Sequence, residues 1–102
     1  MLPFFAKGDC KMKGTKTAFI TGAASGIGLE TARRFSTDHN YRPVYAIDRN
    51  PAIYTAFQPS DYPNMVPVQL DVRDREETLT LLRRVALDSG RLDVVVNAAG
   101  VM

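Results

Sequence analysis

Residues 17–28 read Thr17-Ala18-Phe19-Ile20-Thr21-Gly22-Ala23-Ala24-Ser25-Gly26-Ile27-Gly28. The first five are β-branched, aromatic or small apolar residues, a run that predicts a short buried strand. Glycines follow at positions 22, 26 and 28. Beyond them Leu29, Ala32 and Phe35 share one face and Arg33 and Arg34 another, which predicts a helix over Leu29–Asp38 with its N-terminus near Gly26. Glycine permits a left-handed turn and lets backbone N–H groups approach an anion closely. A helix start adds unpaired N–H groups and the positive end of the helix dipole. Pyrophosphate suits such a site, and Ser25 can add a hydroxyl contact.

Working outward, strand and helix patterns alternate. Pro43-Val44-Tyr45-Ala46-Ile47 predicts a second strand ending at Asp48, and Val66-Pro67-Val68-Gln69-Leu70 a third ending at Asp71. Leu92-Asp93-Val94-Val95-Val96 predicts a fourth that runs into Asn97-Ala98-Ala99-Gly100. Pro51 suits the first position of a short helix, closed by Pro59 and Pro63. Asp74 and Glu77 stand at capping-box spacing. Leu79, Leu82, Val85 and Ala86 follow at helical spacing, and Gly90 suits the residue after a helix end.

This β-α-β-α-β-α-β order predicts an α/β fold: a Rossmann-like, doubly wound parallel sheet, first half, in three α/β/α layers. The near-continuous apolar runs suit strands buried on both faces. Right-handed crossovers give the strand order 3-2-1-4. Strand 3 is then an edge, where Pro67 with its missing N–H is tolerated.

Composition excludes several other classes. The chain has 102 residues and a net charge of +2, too small a balance to argue for nucleic acid or an anionic membrane surface. Hydrophobic residues are 45% and charged residues 24%, ordinary for a globular domain. One cysteine and one histidine, His39, assemble neither a disulfide framework nor a metal cluster. No stretch approaches the roughly 20 apolar residues of a membrane span. Residues 1–15 read as a flexible, lysine-bearing arm and 16–102 as a partial dinucleotide-binding domain. A reducing, cytoplasmic location is expected.

The glycine spacing is G-x3-G-x-G rather than G-x-G-x-x-G, so context must carry the argument. The decisive context is Asp48, twenty residues past Gly28 at a strand end. A carboxylate there accepts from both ribose hydroxyls of an adenosine and repels a 2′-phosphate, which favours NAD over NADP. Arg49 adjoins it. A guanidinium can pair with a phosphate, so Arg49 is a candidate contact, although a surface position is its simpler reading. A Walker-type loop is excluded because Leu29-Glu30 follow the last glycine. A methyltransferase-like adenosine site is a minor alternative that the fourth strand disfavours.

Together, Thr21–Gly28, Asp48, Leu70-Asp71-Val72 and Asn97-Ala98-Ala99-Gly100 resemble the classical short-chain dehydrogenases/reductases over roughly residues 16–101. The resemblance implies that Gly22, Ser25, Gly26, Ile27 and Gly28 cradle the cofactor phosphates and that Asp48 holds the adenine ribose. It implies that Asp71 and Val72 meet the adenine ring, while Asn97, Ala98, Ala99 and Gly100 line the pocket toward the nicotinamide-side ribose. Asn97 also has a structural reading, as an amide that ties neighbouring strand ends together.

The resemblance further implies hydride transfer between nicotinamide and an alcohol or carbonyl carbon, served by a serine, a tyrosine and a lysine four residues after the tyrosine. A phenol of pKa about 10 needs a nearby cation to act as a base at neutral pH. No Tyr-x-x-x-Lys occurs: Tyr41, Tyr45, Tyr54 and Tyr62 are followed four residues on by Tyr45, Arg49, Gln58 and Val66. No catalytic residue is therefore assigned, and these 102 residues alone are expected to be inactive. The alternative is a non-catalytic nucleotide-binding or interaction module. Val94-Val95-Val96 carries neither charge nor proline, so an exposed edge there is expected to drive self-association.

Overall fold

The structure is a computed structural model and describes residues 16–98. The proposed N-terminal arm, Ala99 and Gly100 lie outside the described residues. Four strands, β1 (Lys16–Thr21), β2 (Tyr41–Asp48), β3 (Met65–Gln69) and β4 (Val94–Asn97), form one parallel sheet in the order β3-β2-β1-β4. Three helices, α1 (Gly26–Ser36), α2 (Ala52–Ala56) and α3 (Arg75–Ser89), connect them.

The two-residue period of the strands builds both faces. Ala18 and Ile20 of β1 and Val44 and Ala46 of β2 turn to one face, where they bury Ala32 of α1 and Ile53 of α2. Phe19, Tyr45 and Ile47 turn to the other, where Val85 of α3 covers them. Helices thus lie on both faces, giving the three expected layers. β1 and β2 carry these layers and are buried almost end to end.

Pro67 sits opposite Ala46 on β3, which among the described residues pairs with β2 alone. An outer strand makes ladder bonds on one side only, so a missing N–H there is tolerated. At the bottom of the sheet, the Asn64 amide donates to the Phe35 carbonyl at 3.3 Å and the Tyr41 carbonyl at 3.1 Å. It joins the end of α1 to the start of β2. The Phe35 and Tyr41 rings meet edge to face beside it.

Several local expectations need correction. α1 spans Gly26–Ser36: it starts at Gly26 as expected and ends at Ser36 rather than Asp38. Pro51 is the N-cap of α2, one residue before the helix. β3 stops at Gln69, leaving Leu70 in the turn, and β4 starts at Val94 rather than Leu92. Asp93 instead pins that strand's start, accepting the Thr17 N–H at 2.8 Å on its side chain. The apolar stripe of α3 is rotated from expectation: Leu81, Leu82 and Val85 pack on the sheet, while Leu79 is 47% exposed and Ala86 is exposed. β3 and β4 are not fully buried either; Val95 is 57% exposed.

The α3 termini follow the sequence signals. The Asp74 side chain accepts the Glu77 N–H at 3.2 Å, and Gly90 closes the helix with φ +75°. Among the described residues, no helix is long and apolar enough to cross a membrane.

Candidate dinucleotide site

The carboxyl ends of β1, β2 and β3 open into a cleft of about 580 Å³. Such crevices beyond strand ends are where open parallel sheets place ligands. One wall is the β1–α1 turn. Gly22 has φ +68° and Gly26 has φ +57°, conformations that L side chains rarely adopt. Gly28 is required for a different reason. A Cβ there would lie 2.0 Å from the Gly22 carbonyl oxygen, so only a bare Cα lets α1 start so close to β1.

Ser25 is the N-cap of α1, with extended backbone and no side-chain capping bond. The first backbone bond of the helix runs from the Leu29 N–H to the Ser25 carbonyl at 3.2 Å. Donors of the first turn therefore remain for an anion, together with the Ser25 hydroxyl. Gly22, Ser25, Gly26, Ile27 and Gly28 all line the cleft, and Ile27 is 64% exposed there. A Cβ on Gly26 would meet nothing within 4 Å, so the space above it is free for a ligand.

The second wall is the end of β2. The Asp48 Oδ2 accepts the Ala24 N–H at 3.0 Å and its Oδ1 accepts the Asn50 N–H at 2.9 Å. The Ala23 N–H reaches the Ile47 carbonyl at 3.0 Å. β2 thereby holds the glycine turn by two bonds. Arg49 and Asn50 complete this wall.

The third wall is the β3–α3 turn, where Leu70, Asp71, Val72 and Arg73 line the cleft. The Arg73 guanidinium donates to Asp71 through Nε at 3.1 Å and Nη2 at 2.8 Å. That fork, helped by the Arg73 backbone N–H, holds the Asp71 carboxyl down at about 2. The same contact pushes the Arg73 pKa further up.

The sequence-based candidates mostly converge. Ala98 joins the cleft wall, but Asn97 does not. Its Oδ1 accepts the Thr21 hydroxyl at 2.9 Å, tying the end of β4 to the end of β1 as its structural reading expected. Sequence reasoning missed Asn50, Arg73, Ile47 and Leu70. The Asp-x-Arg spacing of Asp71 and Arg73 was the signal for Arg73.

The buried Tyr45 stands apart from the cleft, on the α3 face of the sheet. Burial pushes its phenol up to about 12, with Asp88 adding to the rise. That is the wrong direction for a base.

A family model described as short chain dehydrogenase matches residues 16–102. The chain belongs to the short chain dehydrogenase family. An uncharacterised oxidoreductase of Saccharomyces cerevisiae is 33% identical over 85 residues, covering 83% of this chain and 26% of the yeast protein. A 3-oxoacyl-acyl-carrier-protein reductase of Staphylococcus aureus is 31% identical over 93 residues, 88% of this chain and 37% of that one. Among solved structures, ElxO with NADP bound superposes with a TM-score of 0.67 at 34% identity, covering 81% of this chain and 34% of that chain.

This short chain dehydrogenase chain thus spans about a quarter to somewhat over a third of these relatives. Family membership removes the methyltransferase-like reading.

Proposed function

We propose that residues 16–102 are a partial dinucleotide-binding domain that holds the adenosine and pyrophosphate half of a nicotinamide dinucleotide, NAD ahead of NADP. The complete enzyme would interconvert an alcohol and a ketone by hydride transfer. The observation that carries this reading is the position of Asp48: it stands at the end of β2, in the same cleft as the unfilled N–H groups of α1.

In this arrangement the first turn of α1 takes the pyrophosphate, with Ser25 adding a hydroxyl. Asp48 accepts from the adenine ribose and disfavours a 2′-phosphate through like charge. Asp71 and Val72 meet the adenine. Ala98 continues the pocket toward the nicotinamide side. Arg49 borders the ribose position and would favour a 2′-phosphate. ElxO binds NADP, so coenzyme choice is the point to test.

The bound nicotinamide would supply or accept the hydride; these residues bind and orient its carrier. The serine, tyrosine and lysine of the family's chemistry have no match among these 102 residues. Turnover by this chain alone is not expected. The reading also includes a cytoplasmic location and self-association along β4.

Calorimetric titration of the purified chain with NAD and NADP is the direct test. NAD should bind about tenfold tighter than NADP, the equivalent of one repulsive contact of about 1.4 kcal/mol. Equal affinities would remove Asp48 as the selector. Binding of neither would overturn the site.

A further inference from the structure

The Arg49–Asn50 peptide is held from both sides. Its N–H, on Asn50, donates to the Asp48 Oδ1 at 2.9 Å, and its carbonyl, on Arg49, accepts from the Gln69 Nε2 at 3.1 Å. Gln69 is the last residue of β3 and stands opposite Asp48 in the parallel register. Its own backbone N–H donates to the Tyr54 hydroxyl of α2 at 2.9 Å. The Asn50 side chain accepts the N–H of Ala52, the first residue of that helix, at 2.9 Å. A closed ring of contacts therefore joins the end of β2, α2 and the end of β3. Asp48, Arg49 and Asn50 line the cleft, whereas Gln69 is not part of its wall.

We infer that Gln69 is a positioning residue: by holding the Arg49–Asn50 peptide it fixes the plane of the Asp48 carboxylate, and so sets how sharply the cleft separates a ribose with free hydroxyls from one bearing a 2′-phosphate. This rests on the dinucleotide reading above. Asp48 is held at two points, Oδ2 by the Ala24 N–H and Oδ1 by the Asn50 N–H. A carboxylate offers about four lone-pair sites, so each oxygen keeps one for a ligand. Two acceptors in a fixed plane suit two neighbouring hydroxyls, because no ordering is left to be done on binding. A fixed carboxylate also cannot turn away from a 2′-phosphate, so the like charge acts in full. Rocking of the Arg49–Asn50 peptide removes the Oδ1 point and relaxes both effects at once. The Gln69 side chain is exposed, so it contributes its bond to Arg49 rather than core packing.

The probes are NAD, NADP and inorganic pyrophosphate. Each is titrated calorimetrically into the full chain and its Gln69→Met and Tyr54→Phe variants. Gln69→Met keeps the length of the side chain, adds no charge and removes the donor. It should bring the wild-type preference for NAD of about tenfold below about threefold, by weakening NAD and strengthening NADP. Pyrophosphate affinity should stay unchanged, since the first turn of α1 is untouched. Tyr54→Phe keeps the ring and removes only the acceptor for the Gln69 N–H, so its ratio should fall between the two.

Amide hydrogen exchange of the ligand-free chain, followed by NMR, separates orientation from general damage. In Gln69→Met the Asn50 N–H should exchange at least about threefold faster than in the wild type. The Leu70 N–H, bonded to the Asp48 carbonyl at 2.9 Å in the strand ladder, should keep its rate. Acceleration of both amides would make Gln69 a support of the sheet and overturn the inference. An unchanged coenzyme ratio in Gln69→Met also overturns it, while the dinucleotide site stands. Equal affinities in the wild type would remove Asp48 as the selector and this inference with it. Failure of both dinucleotides to bind overturns the site reading and this inference together.

Discussion

The Asp48 Oδ2, at the end of β2, accepts the Ala24 N–H of the β1–α1 turn at 3.0 Å. The residue that would choose the coenzyme therefore also holds the turn that would carry the pyrophosphate. Asp48→Ala removes a ribose acceptor and a tether at once. NAD affinity should fall by about thirtyfold and NADP affinity by only about threefold, because both ligands lose the tether and NADP escapes the like-charge repulsion. Titration of both coenzymes checks this, and equal losses would show that the tether is the whole of Asp48's effect.

The two glycines at the start of α1 fail differently. Gly28→Ala places a Cβ 2.0 Å from the Gly22 carbonyl, against backbone that cannot move aside. We expect no cooperative thermal melt by circular dichroism. Gly26→Ala meets no neighbour, and its left-handed φ of +57° costs about 1–2 kcal/mol. That variant should fold with a lower Tm and lose dinucleotide affinity, since its new methyl stands at the cleft wall.

The core should respond to burial rather than to residue type. Phe57 is fully buried and meets Tyr62 edge to face with ring centres 5.1 Å apart. Phe57→Ala should cost about 3–5 kcal/mol in urea unfolding. Leu87 is 83% exposed on α3, and Leu87→Ala should shift the midpoint by less than about 0.5 kcal/mol.

Acid should act through depressed carboxylates. Asp71 is held at about 2 in the fold, and Asp93 is lowered by Arg91 and the Thr17 N–H. A carboxyl whose folded pKa lies below its unfolded value stabilises the fold above the unfolded pKa and loses that contribution as pH falls through the folded one. Stability should be insensitive to these two groups from pH 7 to 5 and decline as pH falls below about 4, the Asp71 contribution being lost down to about 2. Arg91→Ala should lower stability at neutral pH and make that decline shallower, because Asp93 then titrates closer to its unfolded value; a melt series from pH 6 to 2 measures it.

β4 carries the self-association prediction. Among the described residues it has a strand neighbour on one side only, and Val95 is 57% exposed. The purified 102-residue chain should scatter light as a dimer or larger species, and Val95→Lys should shift it toward monomer. A monomeric parent chain would remove the edge as an association surface.

Much of this molecule was legible in one dimension. Strand periodicity, the glycine spacing and the strand-end acids are local properties. They predict the strand order β3-β2-β1-β4 and the glycine-turn and Asp48 walls of the cleft, whereas Asp71, Val72 and Ala98 follow from the family resemblance. Pro67 marked its own strand as an edge because a missing N–H is a property of the residue alone. Asp74 and Gly90 marked the ends of α3 for the same kind of reason.

What the sequence could not decide were rotations and pairings. The apolar positions of α3 admit two stripes, and only the sheet face formed by Phe19, Tyr45 and Ile47 selects the one through Leu82 and Val85. Asn97 carries an amide that suits a ligand or a neighbouring strand, and parallel pairing with β1 gives it to Thr21. Arg73 stands two residues from Asp71, but only the turn after β3 folds its guanidinium back onto that carboxylate. By itself the sequence determined the elements and their order, because backbone propensity and spacing are local. The tertiary structure decided which side chains face the cleft and which are spent on holding it, because a hydrogen bond goes to the partner that folding brings near.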